Sequence, residues 1–361
     1  MKNKGEVIKG IFASCAMLII ILDTRTALSG AITGIQLCLN TIVPSLFPFL
    51  FLSGMINNFL LGQKLGVLRP LGWLCKIPKG GESLLILGFL AGYPVGAQTI
   101  MQAYRDGQLS SAVAKRMLGF CNNAGPAFLF GMLSVIFTNQ VITWALWFIH
   151  ILSALCVGFL LPGESTQSCQ MQKTQQITAH NALRNALKTI AVICGWVIVF
   201  RMVISFCDKW FLRLFPVEIQ VFISGFLELS NGCVMLQRIP EESIRFLLAS
   251  IMLAFGGICV GMQTCSVTSE LGSGYYFPGK VLQALFSLFF ATIMCPFLFK
   301  NLQFPYPTPI IMIVVAVIGI VLCVLHRKKL WHLREECCII PVSVRRKEQS
   351  YAVSKENHTL L

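Results

Sequence analysis

Long apolar runs separated by short polar or basic intervals dominate the chain. Apolar runs of about 17–25 residues are long enough to cross a bilayer as helices. The first is about 10–22. Residues 27–42 (ALSGAITGIQLCLNTI) are weaker and amphipathic, and predict an interfacial helix followed by a crossing at about 44–61. Segment 82–104 is apolar but broken at its centre by GYPVG, which predicts a re-entrant helical hairpin. Residues 110–137 form a crossing broken near Asn122 to Pro126, and 141–161 a regular one. After a polar stretch at 162–183 come a span at 186–206, a second interrupted segment at 217–237, and a broken span at 244–270. Spans at 281–299 and 309–325 follow, then a polar, basic tail at 326–361.

The pattern repeats. GFL at 88–90 recurs at 225–227, and MLGFCNNAGP from Met117 aligns with MLAFGGICVG from Met252, at offsets of 137 and 135 residues. Each copy has a broken apolar segment followed by a helix interrupted by small or polar residues. Three crossings separate the two GFL triplets, and an odd number inverts the second copy. The expected fold is an all-α polytopic membrane protein of about eight transmembrane helices plus two re-entrant hairpins in an inverted repeat. Residues 1–161 form an N-terminal half with the first repeat at about 43–137. Residues 162–183 form a cytoplasmic linker, and 184–325 a second half with its repeat at about 186–270.

Composition sharpens the class. Of 361 residues, 55% are hydrophobic and 12% charged, half the charge of a soluble domain. The net charge of +14 reads as membrane orientation, since no nucleic-acid module is present. With the N-terminus inside and both hairpins returning to their own side, about 22 Lys and Arg fall inside and about 6 outside. Both termini are therefore expected to be cytoplasmic. The apolar N-terminal segment has no small-residue cleavage site and reads as a retained helix. The basic tail, with HRKK at 326–329 and VRRK at 344–347, anchors topology and faces anionic lipid.

Candidate chemistry concentrates at the interruptions. Irregular backbone at membrane depth leaves N–H and C=O groups that need partners, and helix N-termini there can hold polar ligands. The candidate substrate- or ion-binding residues are Gly92, Tyr93, Pro94, Gly96, Gln98, Asn122, Asn123, Gly125 and Pro126 in the first half. Glu228, Ser230, Asn231, Gly257, Gln263 and Thr264 serve the second. The alternative is helix packing: Gly88, Gly92 and Gly96 are spaced four apart, as are Gly257 and Gly261. Glu228 lies between apolar flanks; it faces a cavity, binds a proton, or pairs with Arg201 or Arg245. No other intramembrane acid is read in the first half, and Arg201 is the one basic residue placed within a span. His150 reads as packed or interfacial rather than as a ligand. Fifteen cysteines without a C-x-x-C pair and five scattered histidines predict no metal, no cofactor and no disulfide framework. No nucleophile–base pair or P-loop appears, so no enzyme is expected.

VPSLFPF (43–49), GFLAGYPVGAQ (88–98), FCNNAGP (120–126), GFLELSNGC (225–233) and FGGICVGMQ (255–263) together resemble the YlbJ-like sporulation integral membrane proteins, which carry the nucleoside recognition or Gate domain. This chain has Gln98 where that family is expected to carry a basic residue. The resemblance implies a membrane protein of a spore-forming bacterium with kinship to the concentrative nucleoside transporter fold. A nucleoside substrate does not follow from that kinship. Two functions stay open: a secondary transporter of a small polar solute with H⁺ or Na⁺ as coupling ion, or a non-transporting membrane scaffold that kept the fold. Lipids are the remaining expected partners, and the oligomeric state is left open.

Overall fold

The computed structural model describes residues 4–60, 65–163 and 178–299, which lie within one compact unit, Met1–Val317. Most of the 162–183 linker, the 309–325 span and the tail lie outside the described residues. Every regular element described is helical. Five helices are long and apolar enough to cross a membrane: Thr24–Ile56, Gln140–Leu160, Ala179–Trp210, Glu242–Val267 and Tyr276–Leu298. Two shorter apolar helices, Val7–Leu22 and Val217–Leu227, accompany them. Large apolar side chains cover the outside, with Phe12 76% and Phe297 83% exposed. A polytopic membrane protein accounts for such a surface.

Helix α1 (Lys4–Leu22) leads through Asp23 into α2 (Thr24–Leu37). A π-helical turn, Cys38–Ile42, joins α2 without interruption to α3 (Val43–Leu60). The interfacial helix expected at 27–42 is therefore the first half of a long helix. Its low hydropathy has a packing cause. A methyl group on Gly30 would lie 2.8 Å from Ser205 Oγ, and one on Gly34 3.0 Å from Ile198 Cα. The two glycines let α10 (Ala179–Trp210) approach closely along α2 and α3. At one end Lys209 Nζ donates to Asp23 Oδ2 at 2.5 Å. That bond holds the Asp23 carboxyl below its usual range, so the tie persists at neutral pH and is lost as pH falls through the lowered value.

The short helices α4 (Arg69–Leu74), α5 (Glu82–Leu90), α6 (Val95–Arg105), α7 (Ser111–Met117) and α8 (Pro126–Leu133) carry the first set of interruptions. The second set lies in α11 (Val217–Leu227), α12 (Leu229–Met235), α13 (Glu242–Phe255) and α14 (Gly257–Val267). Two uninterrupted helices, α9 (Gln140–Leu160) and α15 (Tyr276–Leu298), pack on each other and on α13. The second arm of each interrupted pair crosses to the other half: α6 contacts α14, and α12 contacts α8.

Two charges near the ends of the apolar segments are buried. Arg116 donates to four carbonyls, Gly158 O at 2.5 Å, Cys75 O at 2.6 Å, Lys76 O at 3.2 Å and Leu161 O at 3.3 Å, closing the C-terminal ends of α4 and α9. Glu82, at the start of α5, is also buried. It accepts from Arg69 Nη1 at 2.6 Å and from the Gly80 N–H at 2.8 Å. The first half thus does hold a buried acid, and Arg201 is not the one basic residue within the bundle.

Gly30→Leu should separate α2 from α10 and lower stability by about 1–3 kcal/mol. Gly10→Leu, where nothing lies within 4 Å, should change it by less than about 0.5 kcal/mol. Thermal unfolding of the two variants in detergent checks the contrast.

Candidate functional site

Both interrupted pairs double back on themselves. Gly225 and Gly232 flank Glu228, and a methyl group on Gly232 would lie 2.2 Å from the Gly225 Cα. In a straight helix those residues would be about 10 Å apart. The first pair turns at 91–94, where Gly92 takes φ +76°. Gly88 and Gly96, eight positions apart, both pack on Cys121 O, at 2.0 and 2.5 Å from where a methyl would sit. Gly92 lies against Gly125. The break between α7 and α8 is thus seated in the fork between α5 and α6. The second half repeats the arrangement. Gly256 (φ +85°) and Gly257 (φ +83°) separate α13 from α14, and Gly257 packs against Gly225 O and Leu229 N, both at 3.2 Å from its virtual methyl. Packing therefore explains these glycines directly.

The polar side chains close the breaks. Glu228 is 2% exposed and caps α12: its carboxylate accepts from Ser230 N at 3.0 Å, Asn231 N at 2.7 Å and Asn231 Nδ2 at 2.7 Å. It forms no ion pair with Arg201 or Arg245 among the described residues. Backbone and amide donors satisfy the carboxylate in place of the alternative ion pair. Asn122 is buried; its Oδ1 accepts from Ala97 N in the first turn of α6 at 3.2 Å, and its Nδ2 donates to Thr264 Oγ1 in α14 at 2.9 Å. One side chain thus ties the break, the first fork and the opposite half.

Between the two turns lies a small cavity of about 30 Å³. Gly92, Tyr93 and Gly125 line it from the first half, and Glu228, Ser230 and Gln263 from the second, with apolar walls from α3 and α10. Six of the residues expected from sequence thus meet at one place. Tyr93 Oη is buried there without a hydrogen-bond partner. Asn122, Asn231, Gly257 and Thr264 stand one layer behind, engaged as described. Pro94, Gly96, Gln98 and Pro126 do not line the cavity either; Pro126 opens α8 and Gly96 faces the break. Asn123 turns away from it towards α15. A separate cavity of about 200 Å³ has only apolar walls, among them Phe222, Phe226, Phe255 and Leu285.

Lys280 and Gln283 escaped the sequence reading. Lys280 follows Tyr-Tyr-Phe-Pro-Gly, which looked like a loop, and its charge was counted outside the membrane. It is 1% exposed, at the fifth residue of α15. The available signal was Gln283 three positions on, a second polar residue on the same helix face. His150 is packed: its Nε2 accepts the Ala124 N–H at 3.1 Å.

An all-helical chain with five candidate spans, whose polar groups are paired across its breaks, is an integral membrane protein. Among curated proteins it is similar to the sporulation integral membrane protein YlbJ of Bacillus subtilis (strain 168). The two are 23% identical over an alignment of 337 residues that covers 80% of this chain and 82% of the relative. That similarity bears out the resemblance to YlbJ-like proteins carried by the motifs. No protein-family model matches the chain, and no solved structure does.

Gly88→Ala should place a methyl against the Cys121 carbonyl and lower stability by about 3 kcal/mol, whereas Gly66→Ala, which meets nothing within 4 Å, should be nearly neutral. Glu228→Ala should cost about 1–3 kcal/mol by leaving buried N–H groups unpaired. Detergent unfolding midpoints of the three variants test both statements.

Proposed function

We propose that this chain is a secondary transporter, a permease for a small polar solute, acting in the cytoplasmic membrane system of a sporulating bacterium. One observation carries the reading: the turns of two doubled-back helix pairs, the break before α8 and the helix after the second break, α14, converge from both halves on one cavity that holds Glu228, Tyr93, Ser230 and Gln263. Discontinuous helices meeting between two repeats are how inverted-repeat transporters build a solute site. In this reading the two forks are re-entrant hairpins entering from opposite sides, and eight crossings leave both termini in the cytoplasm. The fold is then akin to the concentrative nucleoside transporters, with no nucleoside implied. The sporulation setting comes from the name of the relative. Glu228 carries the coupling, exchanging its amide donors for H⁺ or Na⁺ as the site opens. The chemistry is transport, with no bond made or broken.

A second reading has its own support. Asn122, Asn123 and Glu228 already have their polar atoms bonded within the protein, as a scaffold that retained a transporter's shape would. Comparing the metabolites of spores made with and without the protein identifies a candidate solute, whose flux is then measured in proteoliposomes. Glu228→Gln should lower coupled uptake about tenfold or more, equivalent to about 1.4 kcal/mol, and Tyr93→Phe should weaken it. Unchanged coupled uptake in Glu228→Gln would remove that residue from the mechanism. Spore formation that fails on deletion of 330–361, yet tolerates substitution at Asn122, Asn123 and Glu228, would establish the scaffold instead.

A further inference from the structure

Lys280 closes a circuit of hydrogen bonds that begins and ends at the first break. Its Nζ donates to Asn123 Oδ1 at 3.0 Å and to Gln283 Oε1 at 2.8 Å. Neither amide could be turned round without loss. Asn123 Nδ2 is committed to Phe120 O at 2.6 Å, and Gln283 Nε2 to His150 O at 3.2 Å. Both carbonyl oxygens are thereby presented to the lysine. The His150 ring returns to the break by accepting the Ala124 N–H at 3.1 Å. Residues 120–124 are thus tied through α15, then through α9, back to themselves.

The charge makes this circuit unusual. No carboxylate among the described residues pairs with Lys280. The nearest described aromatic contact is the Tyr276 ring, 5.9 Å below Nζ. A cation held by neutral dipoles inside a membrane protein is costly, and a methionine would fill the same space without that cost. The same place has close backbone packing, since a methyl on Gly279 would lie 2.2 Å from Gly119 O. The circuit therefore sits at a seam where the two halves touch directly, and it holds the segment whose Gly125 forms part of the cavity wall.

We infer that Lys280 is a positioning residue that latches the 119–126 break to α15 through charge-assisted hydrogen bonds, tight enough to order the cavity wall and weak enough, without a counter-anion, to release. This rests on the reading of the cavity as a site that opens and closes. An ion pair at that position would hold the halves shut, whereas two amide oxygens leave a bond that can be exchanged.

The test is hydrogen–deuterium exchange of the full chain in detergent, reading residues 119–126 against the middle of α10. Lys280→Met should speed exchange in 119–126 about tenfold and leave α10 unchanged, and Lys280→Arg should restore protection. Gln283→Glu, which supplies a carboxylate to Lys280 and leaves the Asn123–Phe120 bond in place, should slow exchange there by a similar factor. Unaltered exchange in folded Lys280→Met, faster exchange spread evenly over α10, or no slowing in Gln283→Glu would each overturn the latch. If Lys280→Met does not fold, the glutamate variant alone decides. Slowed exchange in Gln283→Glu supports the latch whatever the phenotype. With loss of spore formation it supports the opening of the site as well; with spore formation intact it counts against transport and leaves the latch standing.

Discussion

Every interruption in this bundle is governed by one constraint. A peptide group freed from its helix at membrane depth must find a partner inside the protein. The structure meets that requirement with side chains. Glu228 serves the start of its own helix, α12, Asn122 the start of α6, His150 the Ala124 N–H, and Arg116 the carbonyl ends of α4 and α9. The last three cross-link elements that are distant in sequence, and Asn122 also ties the halves together through Thr264. The forks could not seat the breaks without glycine, because Gly88, Gly96 and Gly232 stand where a methyl would meet backbone at 2.5 Å or less.

Under the transport proposed above, Glu228 links stability to function. It is both the cap of α12 and part of the cavity lining. A ligand that drew on its oxygens would compete with helix capping, so binding and local rearrangement would be one event.

The sequence placed the interruptions well because glycine, proline and asparagine have few other reasons to cluster inside apolar runs. The turns at 91–94 and Glu228, and the breaks at 121–125 and 256–257, lie where the pattern put them. It erred where polarity was a matter of packing. Residues 27–42 look amphipathic because Gly30 and Gly34 make a seam for α10, which no single-segment reading can see. It also erred with charges. Arg116 and Lys280 carry the local signature of loop residues, Arg116 beside Lys115 and Lys280 after Pro278-Gly279. Only the folded chain shows their partners: backbone carbonyls at the ends of α4 and α9 for Arg116, and the amide oxygens of Asn123 and Gln283 for Lys280. Glu228 stands out in the sequence as a carboxylate between apolar flanks, but its partners do not, because sequence displays charges and hides N–H groups.

The π-helical turn at Cys38–Ile42 has a geometric consequence. Gly30, Gly34, Cys38, Ile42, Leu46 and Leu50 recur at every fourth position. On an ideal α-helix such a row drifts by about 40° per step, since each residue advances about 100°. One wide turn, with more residues per revolution, takes back much of that drift. It brings the α10 seam and the cavity wall of Ile42, Leu46 and Leu50 closer in phase along a single long helix. The turn works like a vernier between two rulers: it sets the angle at which the outer scaffold presents its apolar wall to the site. Removing one residue from 38–42 would leave both helices whole and rotate one against the other by about a quarter of a revolution.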